Sequence, residues 1–249
     1  MQPLAGQAAV VTGSGRNIGR AIALMLAADG AGVVVNGRHD SDAVDAVVVE
    51  IEAAGGRAAA CMTDASSQDG AKALVAAASA AFGRLDILVL NHATRRQGPF
   101  LEIPFSEWRK VMEQDLDGPF HCMQAAIPMM QVNGQGRIVT LGGSTTHGAT
   151  PNRAHVKAAK MGLLGLMRAV AVEFAGDGIT ANCVAPGHAD TSRGEASGDR
   201  SSGGPGRLIE RMGHVDEIAA MVRHLCRPEG AYITGQIIHV DGGMYFGGA

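Results

Sequence analysis

Residues 8–28 read AAVVTGSGRNIGRAIALMLAA, and the order of events within them decides the fold. An apolar run at 8–11 is followed by a Gly-rich turn, Thr12-Gly13-Ser14-Gly15-Arg16-Asn17-Ile18-Gly19, which opens directly into an Ala/Leu-rich helical stretch. A strand, a glycine turn and a helix N-terminus in that order form an anion site. Backbone N–H groups and the helix dipole converge on a spot that residues lacking a Cβ leave open to a pyrophosphate. Gly13, Ser14, Arg16, Asn17, Ile18 and Gly19 are therefore candidate cofactor-binding residues.

Working outward, short β-branched runs at 8–12, 32–36, 57–61, 85–90, 137–141, 179–184 and 236–240 read as strands. Between them, 18–28, 42–54, 69–82, 106–130, 152–174 and 216–225 have helical periodicity or Ala/Leu-rich composition. This alternation predicts an α/β fold, a doubly wound parallel sheet of seven strands with helices on both faces. One domain over 1–249 is expected, since no repeat or linker divides the chain. The stretch 192–206, SRGEASGDRSSGGPG, is too rich in Gly and Ser to hold a packed element. It reads as a mobile substrate loop on the edge where such sheets bind ligands.

Composition narrows the function classes. With 35 Gly among 249 residues but 46% hydrophobic residues and no three-residue period, neither a collagen-like nor a disordered chain fits. Net charge is −3, and no stripe of Lys and Arg marks a nucleic-acid or anionic-membrane partner, so a small-molecule ligand is expected. No positive leader precedes the first apolar run and no apolar run reaches a membrane-spanning length, which predicts a cytoplasmic protein. Cys61, Cys122, Cys183 and Cys226 form no CxxC pair and read as buried reduced thiols, with no metal site.

The second strand selects the nucleotide. An NAD site usually ends this strand with a carboxylate for the ribose 2′-hydroxyl. Here Val35-Asn36-Gly37-Arg38-His39 offers none before Asp40, whereas Arg38 and Arg16 suit a 2′-phosphate, so the cofactor reads as NADP(H).

The spacing Thr12-Gly13-x-x-x-Asn17-x-Gly19, then Asn91-His92-Ala93, Pro186-Gly187 with Thr191, and Ile233-Thr234-Gly235-Gln236 to Asp241-Gly242-Gly243, resembles the short-chain dehydrogenase/reductase superfamily over essentially the whole chain. The likeness is greatest to its β-ketoacyl reductase-like branch. It implies a Rossmann-type sheet of order 3-2-1-4-5-6-7. It also implies that Asp64 contacts adenine, Asn91 supports the adenine-ribose side, and Pro186, Gly187 and Thr191 hold the nicotinamide. The helical stretches near 106–130 and 152–174 would build a homotetramer or dimer. Asn17 stands where the family usually has Gly, and Thr94 departs from its Asn-Asn-Ala-Gly; Asn tolerates left-handed angles, so Asn17 need not close the turn.

The family's carbonyl-reducing residues are Ser, Tyr, Lys and Asn, and three of the four positions differ here. Aligning Lys160-Met161-Gly162-Leu163 with the family's Lys-Ala-Gly-Leu puts Val156 at the Tyr position, Gly143 at the Ser position beside Ser144, and Asp115 at the Asn position. The chain has 2 tyrosines, Tyr232 and Tyr245, and neither precedes a Lys by four residues. Lys160 shares a helix face with Val156 and should reach the nicotinamide ribose. Asp115 is a candidate proton donor if burial raises its pKa. Ser144 and His155 complete the catalytic candidates, although His155 is rotated about 100° from Val156. His92, His147 and His188 lie on the ligand edge as further candidates.

Three functions follow as expectations. The first is an NADPH-dependent reductase lacking the catalytic Tyr, acting on a C=C, C=N or C=O bond. The second is a non-redox cyclase, isomerase or lyase, and the third an inactive NADPH-binding subunit.

Overall fold

The computed structural model describes residues 2–91, 93–94, 96–143, 150–191 and 207–246. Seven strands are laid out as β1 (Ala8–Val11), β2 (Gly32–Gly37), β3 (Arg57–Met62), β4 (Ile87–Leu90), β5 (Gly136–Leu141), β6 (Ile179–Pro186) and β7 (Ile237–Val240). All pair in parallel, in the order β3-β2-β1-β4-β5-β6-β7. The expected Rossmann-type topology is therefore observed. The order reverses between β1 and β4, so a crevice opens beyond their carboxyl ends.

Why the strands are apolar throughout is visible in their two faces. Ala9, Val11, Val33, Val35, Ile87 and Val89 pack with α1 (Asn17–Ala28), α2 (Ser41–Ala53) and α7 (Val215–Cys226). The alternate residues Val10, Val34, Leu88, Leu90 and Ile138 pack with α3 (Gln68–Phe82), α5 (Gly118–Asn133) and α6 (Ala154–Glu173). A period of two and coverage on both faces leave the five inner strands no polar side for water, whereas the edge strand β3 is partly exposed and β7 half-buried. A third, smaller cluster stands off the sheet, where Val111 and Met112 of α4 (Phe105–Met112) meet Val156 and Ala159 of α6.

The helix expected over 106–130 is not continuous. It splits into α4 and α5, joined by a π-helical segment at Glu113–Asp117. Pro119 supplies the reason: it has no N–H to donate to the carbonyl four residues back, that of Asp115, so the ladder widens to i→i+5 spacing there. The consequence is local and useful, because the widened turn carries Asp115, which is fully buried.

At the opposite edge, Asp29 ends α1 and is gripped by two guanidiniums from α7. Arg227 donates to it through Nε and Nη2 at 2.6 Å each, and Arg223 through Nε at 2.7 Å and again through Nη2. Burial alone would push this carboxyl up, but the two arginines hold it at about 2. No helix is long and apolar enough to cross a membrane among the described residues. Cys122, Cys183 and Cys226 are buried as expected, whereas Cys61 is partly exposed. The substrate loop expected at 192–206, together with Ser144, His92 and His147, lies outside the described residues.

Candidate active site

The Gly-rich turn is held from three sides by side chains. Ser14 Oγ donates to the Val11 carbonyl at 2.6 Å and accepts from the Asn36 N–H at 2.9 Å. Asn36 Oδ1 accepts from the Gly13 N–H at 3.2 Å, and Asn91 Nδ2 donates to the Thr12 and Gly13 carbonyls at 3.2 and 3.0 Å. Ser14 and Asn91 were expected at the ligand. Instead their side chains are spent on the turn's own backbone, so they shape the cradle rather than line it. Ile18 packs its side chain on the core and can offer only its backbone.

The cradle fits a pyrophosphate. A Cβ on Gly19 would sit 2.3 Å from the Gly13 carbonyl oxygen, and Gly13 itself has φ +59°. Asn17 adopts φ +51°, the left-handed geometry expected to make it an acceptable replacement for Gly. Helix α1 has no acidic residue in its first turn, and its N-cap Arg16 makes no side-chain cap bond among the described residues. The positive end of its dipole thus meets no carboxylate of its own first turn and suits an anion.

Beyond β2, a cavity of ≈ 130 Å³ is lined by Gly13, Asn36, Arg38, Thr63, Asp64 and Gln114. Arg38 Nη2 lies 3.1 Å from Asp64 Oδ2, while Asp64 Oδ1 takes the Ser66 N–H and hydroxyl at 3.0 and 2.6 Å. The sequence places no carboxylate close to Arg38, but the fold brings one there from the end of β3. Arg38 thus lines the cavity, paired with Asp64 while its side chain stays half exposed. Arg16 is exposed on the turn.

The candidate catalytic groups converge beyond β4 and β5. Asp115 Oδ1 accepts from the Thr94 N–H at 2.8 Å, and its Oδ2 lies 3.4 Å from Thr94 Oγ1 and 3.9 Å from Lys160 Nζ. Lys160 donates to the Leu141 carbonyl at 3.1 Å. Burial raises the Asp115 pKa; the Lys160 charge, the Thr94 hydrogen bonds and the His155 charge pull the other way without cancelling it. Val156 stands one turn before Lys160 on α6, within the apolar cluster of α4 and α6. His155 is fully buried, with Nε2 3.4 Å from Glu107 Oε1 but not aligned to bond it. Thr94 and Glu107 were not read as site residues. Only the departure at Thr94 from the family's pattern signalled it.

At the far end, Gly187 is pressed against β7, where a Cβ would come 2.7 Å from Asp241 Cα, and its N–H donates to the Val240 carbonyl at 3.0 Å. Pro186 ends β6 and Thr191 is buried nearby in sequence. A cavity of ≈ 300 Å³ adjoins them, lined by Gly187, His188, Ile209, His214, His239 and Asp241 among others. Tyr245 stacks on His239 with centroids 4.5 Å apart, and Tyr232 is fully exposed, so neither stands on α6 beside Lys160. No cluster of three or more metal-ligating side chains occurs among the described residues.

Against known proteins, residues 13–245 match the family model described as enoyl-(acyl carrier protein) reductase. The chain is 38% identical over 250 residues to a 3-oxoacyl-[acyl-carrier-protein] reductase of Synechocystis, covering 98% of this chain and 99% of that protein. A short chain dehydrogenase of Burkholderia cenocepacia, solved in complex with NADP, superposes with TM-score 0.88 at 33% identity, covering 97% of this chain and 99% of that one. A 7α-hydroxysteroid dehydrogenase solved with NADH and 7-oxo glycochenodeoxycholic acid gives TM-score 0.90 at 32% identity, covering 97% and 95%.

Proposed function

The chain belongs to the short-chain dehydrogenase/reductase family of oxidoreductases, and from that premise we propose that it is an NADPH-dependent reductase of a small-molecule C=O, C=C or C=N bond working without the family's tyrosine. One observation carries the reading. The lysine is retained and buried, the residue one turn before it is Val156, and a carboxyl, Asp115, lies 3.9 Å from its ammonium. A pocket that keeps its cation, loses its phenol and gains a buried acid still has a proton source, but a different one.

Support for the cofactor comes from the donor set: an uncapped helix N-terminus for a pyrophosphate and Arg38 over the adjoining cavity for a 2′-phosphate. The NADP-bound Burkholderia relative agrees with this choice. When bound, NADPH supplies a hydride. Lys160, steered by the Leu141 carbonyl, would hold the nicotinamide ribose, with Pro186, Gly187 and Thr191 flanking the ring. Asp115, whose pKa burial raises, would release a proton from its carboxyl and be recharged from water. The named activity of the Synechocystis relative makes a 3-oxoacyl thioester the first substrate to try. Exposed apolar side chains on the helices beside the site, Phe105 at 75% and Val172 at 82%, support assembly into a homo-oligomer.

The test is isotopic. NADPH carrying deuterium at C4 is incubated with the protein and a panel of 3-oxoacyl thioesters, enones and imines, and product mass is read. Deuterium in product is expected. Nucleotide binding without deuterium in any product overturns the reductase reading in favour of non-redox chemistry, and failure to bind NADPH overturns the cofactor assignment as well.

A further inference from the structure

Asp115 is fully buried, so the acid on which the reductase reading relies cannot itself touch a substrate in the crevice. We propose that Thr94 delivers its proton: the hydroxyl takes the proton of the Asp115 carboxyl and passes its own to the anion that hydride addition leaves on the substrate. This role presupposes the reductase reading and adds to it the group that meets the substrate. Thr94 stands on the loop that leaves β4 and is half-buried. Its neighbour Ala93 is exposed and lines the cavity of ≈ 130 Å³.

The two oxygens of Asp115 are not equivalent. Oδ1 accepts the Thr94 N–H at 2.8 Å, and an amide N–H can only donate, so Oδ1 is kept as the carbonyl-like oxygen, the better acceptor. The proton of the acid form then goes to Oδ2. Two groups face Oδ2, Lys160 Nζ at 3.9 Å and Thr94 Oγ1 at 3.4 Å. An ammonium has no lone pair and cannot accept, whereas a hydroxyl donates to the carboxylate and accepts from the acid. Of the two, Thr94 alone can therefore serve Asp115 in both protonation states. His155, which also acts on Asp115 from α6, faces Glu107 of α4 at 3.4 Å instead.

Thr94 stands where the family usually has Gly, and Val156 where it has Tyr, so a hydroxyl enters the chain as the phenol leaves it. The transfer balances. The substrate gains a hydride, with its electron pair, from NADPH and one proton from Thr94. The O–H bond of Thr94 breaks towards the substrate anion as that of Asp115 breaks towards Thr94 Oγ1. Thr94 ends as it began, and Asp115 ends as a carboxylate beside the Lys160 ammonium and the Thr94 N–H. A proton from water then returns to Asp115 through the same hydroxyl.

The experiment uses the full chain. Thr94→Val and Thr94→Gly remove the hydroxyl but keep the N–H that Asp115 accepts, and Thr94→Ser keeps both. With NADPH and a 3-oxoacyl thioester, the first two should cut kcat by about 10²-fold with the KM for NADPH in place, and Thr94→Ser should recover it to within about threefold of wild type. The wild-type rate should curve against the fraction of D₂O, as two moving protons require, and the residual rate of Thr94→Val should respond linearly. A Thr94→Val protein as fast as wild type, or a Thr94→Ser protein as slow as Thr94→Val, overturns the relay and leaves the reductase reading standing. A second arm needs no substrate. Infrared spectra recorded as pH is lowered follow the acid-form C=O stretch of Asp115, identified as the band absent from Asp115→Asn. It should move to higher frequency in Thr94→Val and Thr94→Gly, which lose a hydrogen bond to the carboxyl, and hold its place in Thr94→Ser. A band that stays put in all three, or never forms, overturns the relay. If no substrate takes deuterium from NADPH, the reductase reading falls, and the infrared band still decides whether Thr94 holds the Asp115 proton.

Discussion

Asp29 and Asp115 are both carboxylates with almost no exposed surface, 2% and 0%, yet their environments push them in opposite directions. Asp29 sits where the strands begin, gripped bidentately by Arg223 and Arg227, and is held at about 2. Asp115 sits where the strands end, with one ammonium at 3.9 Å, one backbone donor and the Thr94 hydroxyl at 3.4 Å, and burial raises its pKa. Two things separate them, the greater depth of Asp115 beneath the surface and the number and alignment of donors. A carboxylate fully matched by two forks serves as a clamp, whereas one left partly unmatched keeps a raised pKa, which is what the proposed proton donor requires.

The largest test of that contrast is Asp29→Ala. It strips the partner from two guanidiniums joining α1 to α7, and is expected to cost about 3 kcal/mol in urea unfolding with NADPH affinity unchanged. Asp115→Asn should do the reverse. Turnover is expected to drop by about 10²-fold or more, while denaturation shifts by less than about 1 kcal/mol, because the amide oxygen can still accept the Thr94 N–H. A large loss of stability in that variant would mean that Asp115 is a clamp too.

Acid sharpens the same comparison. Asp29 has a folded pKa of about 2 against an ordinary value of 3.8, so its contribution is full above pH ~4 and fades as pH falls towards 2, about 2 kcal/mol in all. Asp115 has the opposite sign: its raised pKa favours the folded state at low pH and costs stability as pH rises through the window above 3.8. Stability measured against pH in Asp29→Ala and Asp115→Asn should therefore depart from wild type with opposite slopes. The smallest effect expected is at the cofactor end. Arg38→Ala should weaken NADPH by about tenfold and leave NADH unmoved in calorimetry, with its former partner Asp64 exposed in the cavity.

Much of this was legible in the sequence. Period-two strands and Ala-rich helices state the sheet, and the cradle can be read at 12–19 because strand, turn and helix are contiguous there. Lys160 and Asp115 are legible as a pair because both stand at motif positions, and the fold brings them within 3.9 Å. What escaped was whatever depends on long-range meeting. Asp29 and Arg223 are 194 residues apart, and nothing local announces their pairing. Arg38 looked unopposed because its carboxylate arrives from another strand, and Glu107 reaches His155 only because α4 lies across α6. The bracing role of the Ser14 hydroxyl is equally invisible locally, because one of its two backbone partners, Asn36, arrives from the end of β2. The helix over 106–130 was overdrawn because periodicity continues across a point where Pro119 withholds a donor.

The bracing of the glycine turn by Ser14, Asn36 and Asn91 bears on the kinetics of nucleotide capture. Because these bonds lie within the protein, the turn has its binding shape before a nucleotide arrives, and little chain entropy remains to be lost on association. Association should then be a single fast phase whose rate rises linearly with nucleotide concentration, and differences among nucleotides should appear in how slowly they leave.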